Sequence, residues 1–148
     1  MKFVAVVTRT LREGKTYDDY RRAWFHSNGF GVSTQMYTVV NAFNPREIIS
    51  IGIIDTEIEQ LSELLAIDVE DRLANPLDEV IETAIVRTFG VVAAIDDFSA
   101  VGRLEYVEPN VDGVASDTSE LPDTLATIAA MVSRAGDDRD RARRSSQT

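Results

Sequence analysis

The chain of 148 residues contains no cysteine and a single histidine, His26. Without cysteine there is no disulfide framework, no thiolate metal site and no cysteine nucleophile. One histidine cannot complete a zinc or haem site of the common kinds. We therefore expect a protein with no bound metal and no other cofactor.

A long apolar run is also absent from the beginning of the sequence. Only five apolar residues, 3–7, precede Thr8 and Arg9. That run is too short for the core of a signal peptide or for a membrane span. The lack of cysteine fits a reducing compartment. The sequence thus predicts a cytoplasmic protein with no membrane partner.

Positive charge is scarce, because 15 lysines and arginines stand against 25 aspartates and glutamates and give a net charge of −10. Nucleic-acid binding through phosphate neutralisation needs clustered basic residues, so this balance argues against a nucleic-acid partner. Most of the excess lies in residues 55–82, where ten acidic residues accompany one base, Arg72. This segment predicts an acidic face that is solvated, repels anions or meets a basic partner.

The hydrophobic pattern predicts the order strand, helix, strand, strand, helix, strand. The valine-rich residues 2–10 and the mostly apolar residues 83–95 suit buried strands, the second with Gly90 as a candidate bulge or bend. The second helix ends at the Asn75-Pro76 break. Its apolar residues follow helical spacing: Ile58, Leu61, Leu64, Leu65 and Val69.

The first helix and a hairpin lie between these elements. The helix is predicted over residues 17–27, with Thr16 as its N-cap and Asp19 three positions on in a weak capping box. The hairpin is predicted within residues 35–55, with its turn at residues 44–47, because proline suits the second position of a tight turn.

This order predicts an α+β fold of the ferredoxin-like kind, βαββαβ, with a four-stranded antiparallel sheet and both helices on one face. The hairpin strands carry apolar residues at both odd and even positions, so their isoleucines cannot all point at the helices. Another copy of the same sheet is the simplest cover for the second face, which predicts a homodimer. The isoleucines concerned are Ile48, Ile49, Ile51, Ile53 and Ile54.

The character of the sequence changes beyond residue 108. We predict a first domain over residues 1–108, a linker of small and polar residues over 109–120, a C-terminal helix over 121–135 and a mobile charged tail over 136–148. An added edge strand or a swapped segment is possible at residues 103–109.

Aromatic residues mark the first helix and the loop after it. Tyr17, Tyr20 and Trp24 recur at helical spacing, so they form either core packing or the wall of a pocket. Phe30 lies in the short loop 28–31, which lacks the strand-to-helix context of a phosphate-binding loop. We therefore interpret that loop as a turn or a pocket lid.

The order of elements and the stretch GKTYDDYRRAWFH resemble the dimeric α+β barrel superfamily, which includes antibiotic-biosynthesis monooxygenase-like, ethyl-tert-butyl-ether-degradation-like and stress-responsive barrel proteins. The resemblance covers about residues 1–108 and implies a cavity in each subunit, between sheet and helices, for an apolar or aromatic small molecule. Members include cofactor-free oxygenases, haem-degrading enzymes, cyclases and proteins with no established activity. The residues that carry it are Thr16, Tyr17, Asp19, Tyr20, Trp24 and His26.

Three polar residues are candidates for chemistry. His26 is the natural general base, although histidines at helix ends often bind carbonyl groups or water. Asn41 would orient a substrate oxygen, bond to the neighbouring strand or lie near the end of the hairpin. Arg87 needs an anion, which Asp55 or Glu82 supplies as an internal ion pair or which a carboxylate ligand brings.

Three functional hypotheses follow. The first is a cofactor-independent oxygenase, isomerase or cyclase acting on an apolar or aromatic carbonyl compound, with His26, Asn41 and Arg87 as catalytic residues. The second is a non-catalytic protein that binds its ligand in the same cavity. The third is a protein-interaction module. For the first two, the predicted ligand-binding residues are Tyr17, Tyr20, Trp24 and Phe30.

Overall fold

The computed structural model of this protein describes residues 1–103 and 119–147. It confirms an α+β fold with a four-stranded antiparallel sheet and a C-terminal helix. The elements in chain order are β1 (Lys2–Leu11), α1 (Tyr17–Ala23), β2 (Ser33–Asn41), β3 (Asn44–Asp55), a single 3-10 turn (Ile58–Gln60), α2 (Leu61–Ala74), β4 (Ile81–Val91) and α3 (Leu121–Ser146).

The strands are arranged in the order β2-β3-β1-β4, and every neighbouring pair is antiparallel. Because side chains alternate along a strand, the register decides which residues share a face. Phe3 pairs with Ile54 and Arg9 with Ile48, and all four side chains point to the side of the helices. This helix side of the sheet contains the core.

The core consists of two clusters of buried side chains between the sheet and the helices. At one end of β1, Phe3 packs against Leu61 of α2 and Ile128 of α3. At the other end the cluster is formed by Leu11, Tyr20, Ile48, Leu77, Val80 and Ile81. α3 thus packs on the same side of the sheet as α2.

The opposite side of the sheet, here called the reverse face, is apolar and partly open. Cross-strand pairs on this face include Val6 with Ile51 and Tyr37 with Ile51. The side chains of Val86 and Tyr37 are 66% and 51% exposed. In the described part of the chain no helix packs on this face. Its apolar residues are Val4, Val6, Tyr37, Val39, Ile49, Ile51, Ile53 and Val86.

α1 begins as predicted and ends earlier than predicted. Thr16 and Asp19 form a reciprocal capping box. The backbone N–H of Thr16, the Arg22 guanidinium and the Thr16 hydroxyl together lower the pKa of the Asp19 carboxyl to about 2. The helix stops at Ala23 because Trp24 takes an extended backbone conformation, which frees residues 24–30 to cross over α2.

The predicted hairpin exists, but its turn lies earlier than residues 44–47. The chain reverses at Ala42 and Phe43, and Pro45 already belongs to β3. The Asn41 carboxamide fixes this turn, because its oxygen accepts from the Phe43 N–H at 2.9 Å. Gly90 is not a bulge, since it pairs regularly with Val4; the irregularity between β1 and β4 lies between Arg9 and Leu11.

The two other helices differ in how well their ends were predicted. α2 ends at Ala74, before the Asn75-Pro76 break. α3 continues to Ser146, so residues 136–146 are helical where composition predicts a tail. Among the described helices none is both long and apolar enough to span a membrane. Nearly all of the possible edge strand at 103–109 and of the linker at 109–120 lies outside the described residues.

Candidate functional site

A cavity of about 120 Å³ lies between the helix side of the sheet and the helices. All four strands, α2, α3 and the segment after α1 contribute to its wall. A cavity forms here because small residues, Ala5 and Gly52, face each other across β1 and β3 where larger side chains would fill the space. Thr34 and Met36 of β2 close one side.

One end of the cavity is apolar. Phe3 of β1 and Phe89 of β4 form its floor, and α2 and α3 form its roof. The aliphatic residues of that roof are Leu61, Leu64, Leu65, Ile128 and Val132.

The other end of the cavity carries four arginines, here called the arginine cluster: Arg9, Arg72, Arg87 and Arg139. Arg87 lies opposite Val7 on the neighbouring strand, and Arg9 is two residues further along β1, so both point to the helix side. α2 and α3 supply the other two. A smaller adjoining cavity of about 80 Å³ is lined by the same four residues and Arg143, and also by two acidic residues, Asp78 and Glu82.

Two members of the arginine cluster are anchored by hydrogen bonds to uncharged groups. Arg9 donates from Nη1 to the Ser50 hydroxyl at 3.0 Å, while its Nε is buried without a partner in the described part of the chain. Arg72 donates to the carbonyl oxygens of Asn75 at 3.0 Å and of Phe25 at 3.3 Å. These contacts hold the side chains but do not neutralise their charges.

The arginines lie close enough to repel one another. Burial, together with repulsion from Arg139 and Arg9, lowers the pKa of Arg87 to about 10. Burial and Arg9 likewise lower the pKa of Arg72. Among the described residues, Asp68 is the only one that contributes a carboxylate to the wall of the larger cavity. This end of the cavity therefore carries an excess of positive charge.

The structure does not form the ion pair that the sequence suggests as one option for Arg87. Glu82 bonds instead to Arg46 at 2.8 Å, and Asp55 lies at the far end of β3, opposite Lys2. Within residues 1–103 and 119–147, Arg87 has no carboxylate within ion-pair distance. The other option, an anion brought by a ligand, remains a prediction.

The predicted ligand-binding residues lie at three different positions relative to the cavity. Trp24 and Phe30 line the cavity. Tyr20 is only 1% exposed and lies behind the wall, with its hydroxyl 3.3 Å from the Ser50 hydroxyl. Tyr17 is partly exposed and stacks on Tyr20 with ring centroids 6.4 Å apart.

His26 lies beside the cavity wall rather than in it. Its ring packs on Phe30 with centroids 4.9 Å apart, and Nε2 is 3.4 Å from the Asp68 carboxylate. Nδ1 lies against the Asn28 carbonyl oxygen at 3.0 Å and contacts the Asp71 carboxylate. Both ring nitrogens thus have protein partners, and one of these partners, Asp68, lines the cavity.

Asp71 is a structural residue that the sequence interpretation missed. It is 1% exposed and accepts hydrogen bonds from the backbone N–H of Ser27 at 3.0 Å and of Asn28 at 3.1 Å. Burial raises the pKa of this carboxyl, but the two N–H groups and His26 outweigh burial and hold the pKa below its usual value. Asp71 fixes the segment that carries Trp24 and Phe30.

Asn41 lies outside the cavity. Its amide nitrogen donates to Glu47 at 2.7 Å and its oxygen holds the hairpin turn, so the structure does not bring it together with His26 or Arg87. Nowhere in the described ranges do three or more histidine, aspartate or glutamate side chains converge as metal ligands would.

Comparison with models of known protein families, with curated proteins and with solved structures found no match. The function must therefore be inferred from the geometry of this chain.

Proposed function

We propose that this protein is a homodimer that binds a small apolar or aromatic molecule in the cavity between its sheet and helices. The observation that carries the proposal is the cavity itself, with Trp24 and Phe30 in its wall. Its volume, about 120 Å³, is close to the ~150 Å³ of an apolar protein cavity that accommodates benzene. A single ring or a short chain therefore fits.

The arrangement of the sheet supports membership of the dimeric α+β barrel superfamily. The strand order β2-β3-β1-β4 is the one expected for a ferredoxin-like βαββαβ unit. α2 and α3 pack on the helix side and leave the reverse face without a helix in the described residues. The middle of that face carries no charged side chain, so two copies of a chain with net charge −10 can meet there without repulsion.

A cavity-filling variant tests the binding site. Ala5 faces the cavity from β1, so Ala5→Leu places extra methyl groups where the ligand would lie. We expect apolar and aromatic compounds found in a thermal-shift screen to raise the melting temperature of the unmodified protein and not that of Ala5→Leu. The fluorescence of Trp24, the single tryptophan, reports the same binding directly.

Ala126→Leu is the matched control, because Ala126 is exposed on α3 and takes no part in the cavity wall. It should bind the same compounds as the unmodified protein. Compounds that stabilise Ala5→Leu equally well would place binding elsewhere, and a screen without any stabilising compound would argue against a ligand-binding function.

Catalysis is a second candidate, favoured by one contact. Asp68 lines the cavity and lies 3.4 Å from His26 Nε2, so a proton could pass between a ligand and the imidazole through this carboxylate. His26 would then act as the general base of an isomerase, cyclase or cofactor-independent oxygenase. Arg87 would hold a substrate oxygen.

The single histidine makes this second candidate measurable by NMR. If His26 serves only to hold residues 24–30 in place, the pH titration of its ring protons should be the same with and without a cavity-bound compound. Coupling through Asp68 would instead move the titration midpoint when the compound binds. Asp68→Asn should abolish that movement while leaving binding intact.

A further inference from the structure

We infer that the ligand of this cavity is a small apolar acid, whose carboxylate is bound by the arginine cluster and whose ring or chain lies at the apolar end. The inference rests on the proposed binding function and names its ligand class. It depends on the change from apolar to cationic residues along the cavity and on the lack of a carboxylate at ion-pair distance from Arg9, Arg72 and Arg87 in the described part of the chain.

Both helices of the cavity roof, α2 and α3, place an apolar residue at one end of the cavity and an arginine at the other. On α2, Leu61 at the apolar end and Arg72 at the arginine end are eleven residues apart, which is about three turns and about 16 Å along the same face. On α3, Ile128 and Arg139 have the same spacing. The cavity therefore changes from apolar to cationic along its length.

Three of the four arginines in the cluster lack, among the described residues, the carboxylate partner that some surface arginines have, while the fourth, Arg139, lies 3.5 Å from the carboxylate of Asp140. Arg22, Arg46 and Arg141 each have a carboxylate within 2.9, 2.8 and 3.3 Å. For Arg9, Arg72 and Arg87 the described residues provide no carboxylate at ion-pair distance, although the chain has 25 acidic residues.

Arg9 and Arg72 are partly buried, and partly buried cations without anions are costly. Repulsion from the more exposed Arg87 adds to that cost. The cost falls when an anion enters. Arg9 Nε is already buried and has no acceptor among the described residues. A carboxylate suits this arrangement because guanidinium groups bind it through two parallel hydrogen bonds.

The first experiment compares acids with their amides. The probes are phenylacetate against phenylacetamide and hexanoate against hexanamide, titrated by calorimetry and by Trp24 fluorescence. We expect at least one acid to bind about tenfold or more tightly than its amide, because the amide keeps the shape and loses the charge. Equal affinities of both members of each pair would overturn the inference and leave the proposed binding function standing.

The second experiment tests which arginines bind the carboxylate. Arg87→Gln and Arg139→Gln should each weaken binding of the tighter acid about tenfold and leave binding of its amide unchanged. Arg141→Gln is the matched control, since Arg141 lies on the same helix as Arg139 and is exposed. A loss as large in Arg141→Gln would mean that overall charge, and not the cluster, attracts the acid, which would overturn the inference.

The two failures are distinguishable. If none of the four probes binds, the ligand class fails, and the proposed function fails with it only if the thermal-shift screen also finds no stabilising compound. If the amides bind and the acids bind no better, only the ligand class fails. Melting temperature controls for folding, and because Arg87→Gln removes one of several repelling charges, it should melt no lower than the unmodified protein.

Discussion

Replacing Ile51 by glutamate is expected to convert the proposed dimer into a folded monomer. Ile51 lies in the middle of the reverse face, paired with Val6 on β1 and with Tyr37 on β2. A two-fold symmetric interface contains the substitution twice, so two carboxylates would be buried without partners. We expect association to weaken by more than about a hundredfold, which sedimentation velocity at micromolar concentration would measure.

The control for Ile51→Glu adds the same charge elsewhere. Ser133→Glu lies on an exposed position of α3, which packs on the helix side of the sheet, and it should leave the dimer intact. Circular dichroism should show that both variants are folded. If the unmodified chain already sediments as a monomer, or if Ser133→Glu dissociates it equally, the reverse face is not the interface.

The sheet was predictable from sequence because strand side chains alternate with a period of two. Apolar residues at consecutive positions such as Ile48 and Ile49 must lie on opposite faces, and the register places them so. The turn of the hairpin was not predictable in this way. Pro45 is a strong turn signal, but the Asn41 carboxamide holds the Phe43 N–H and closes the turn earlier.

The candidate site was only partly predictable. Trp24, Phe30 and Arg87 were chosen for their residue type, and all three line the cavity. Arg72 and Arg139 were missed because a mostly acidic segment and a charged tail suggest solvated residues. Their positions indicate that both arginines face inward, since each lies eleven residues after a core residue on the same helix face.

Asp68 and Asp71 carry the same kind of signal. They continue the inward stripe of Leu61 and Leu64 at helical spacing. Asp71 is buried against the segment after α1, and Asp68 lies in the cavity wall while remaining partly open to solvent. The net charge of residues 55–82 hides this, because the total does not distinguish inward from outward carboxylates. Position on the helix, and not composition, separates the site from the surface.

Replacing Ile48 by alanine is expected to cost about 2–5 kcal/mol of the free energy of unfolding, the usual range for a fully buried aliphatic side chain. Ile48 is 0% exposed and packs with Leu11, Tyr20 and Leu77. Small domains have only about 5–15 kcal/mol in total, so the loss is a large fraction of the stability. Urea unfolding followed by circular dichroism, at one fixed protein concentration, measures it.

The neighbouring residue supplies the matched variant, because Ile49→Ala removes the same atoms from the reverse face. In an isolated subunit Ile49 is only half-buried, so its loss should cost clearly less than that of Ile48. If the proposed dimer forms, the cost of Ile49→Ala should grow with protein concentration, since part of the burial of Ile49 would come from the partner subunit. The cost of Ile48→Ala should not depend on protein concentration, because Ile48 packs within one chain. Equal, concentration-independent losses for the two would contradict both the assignment of faces and the pairing of subunits.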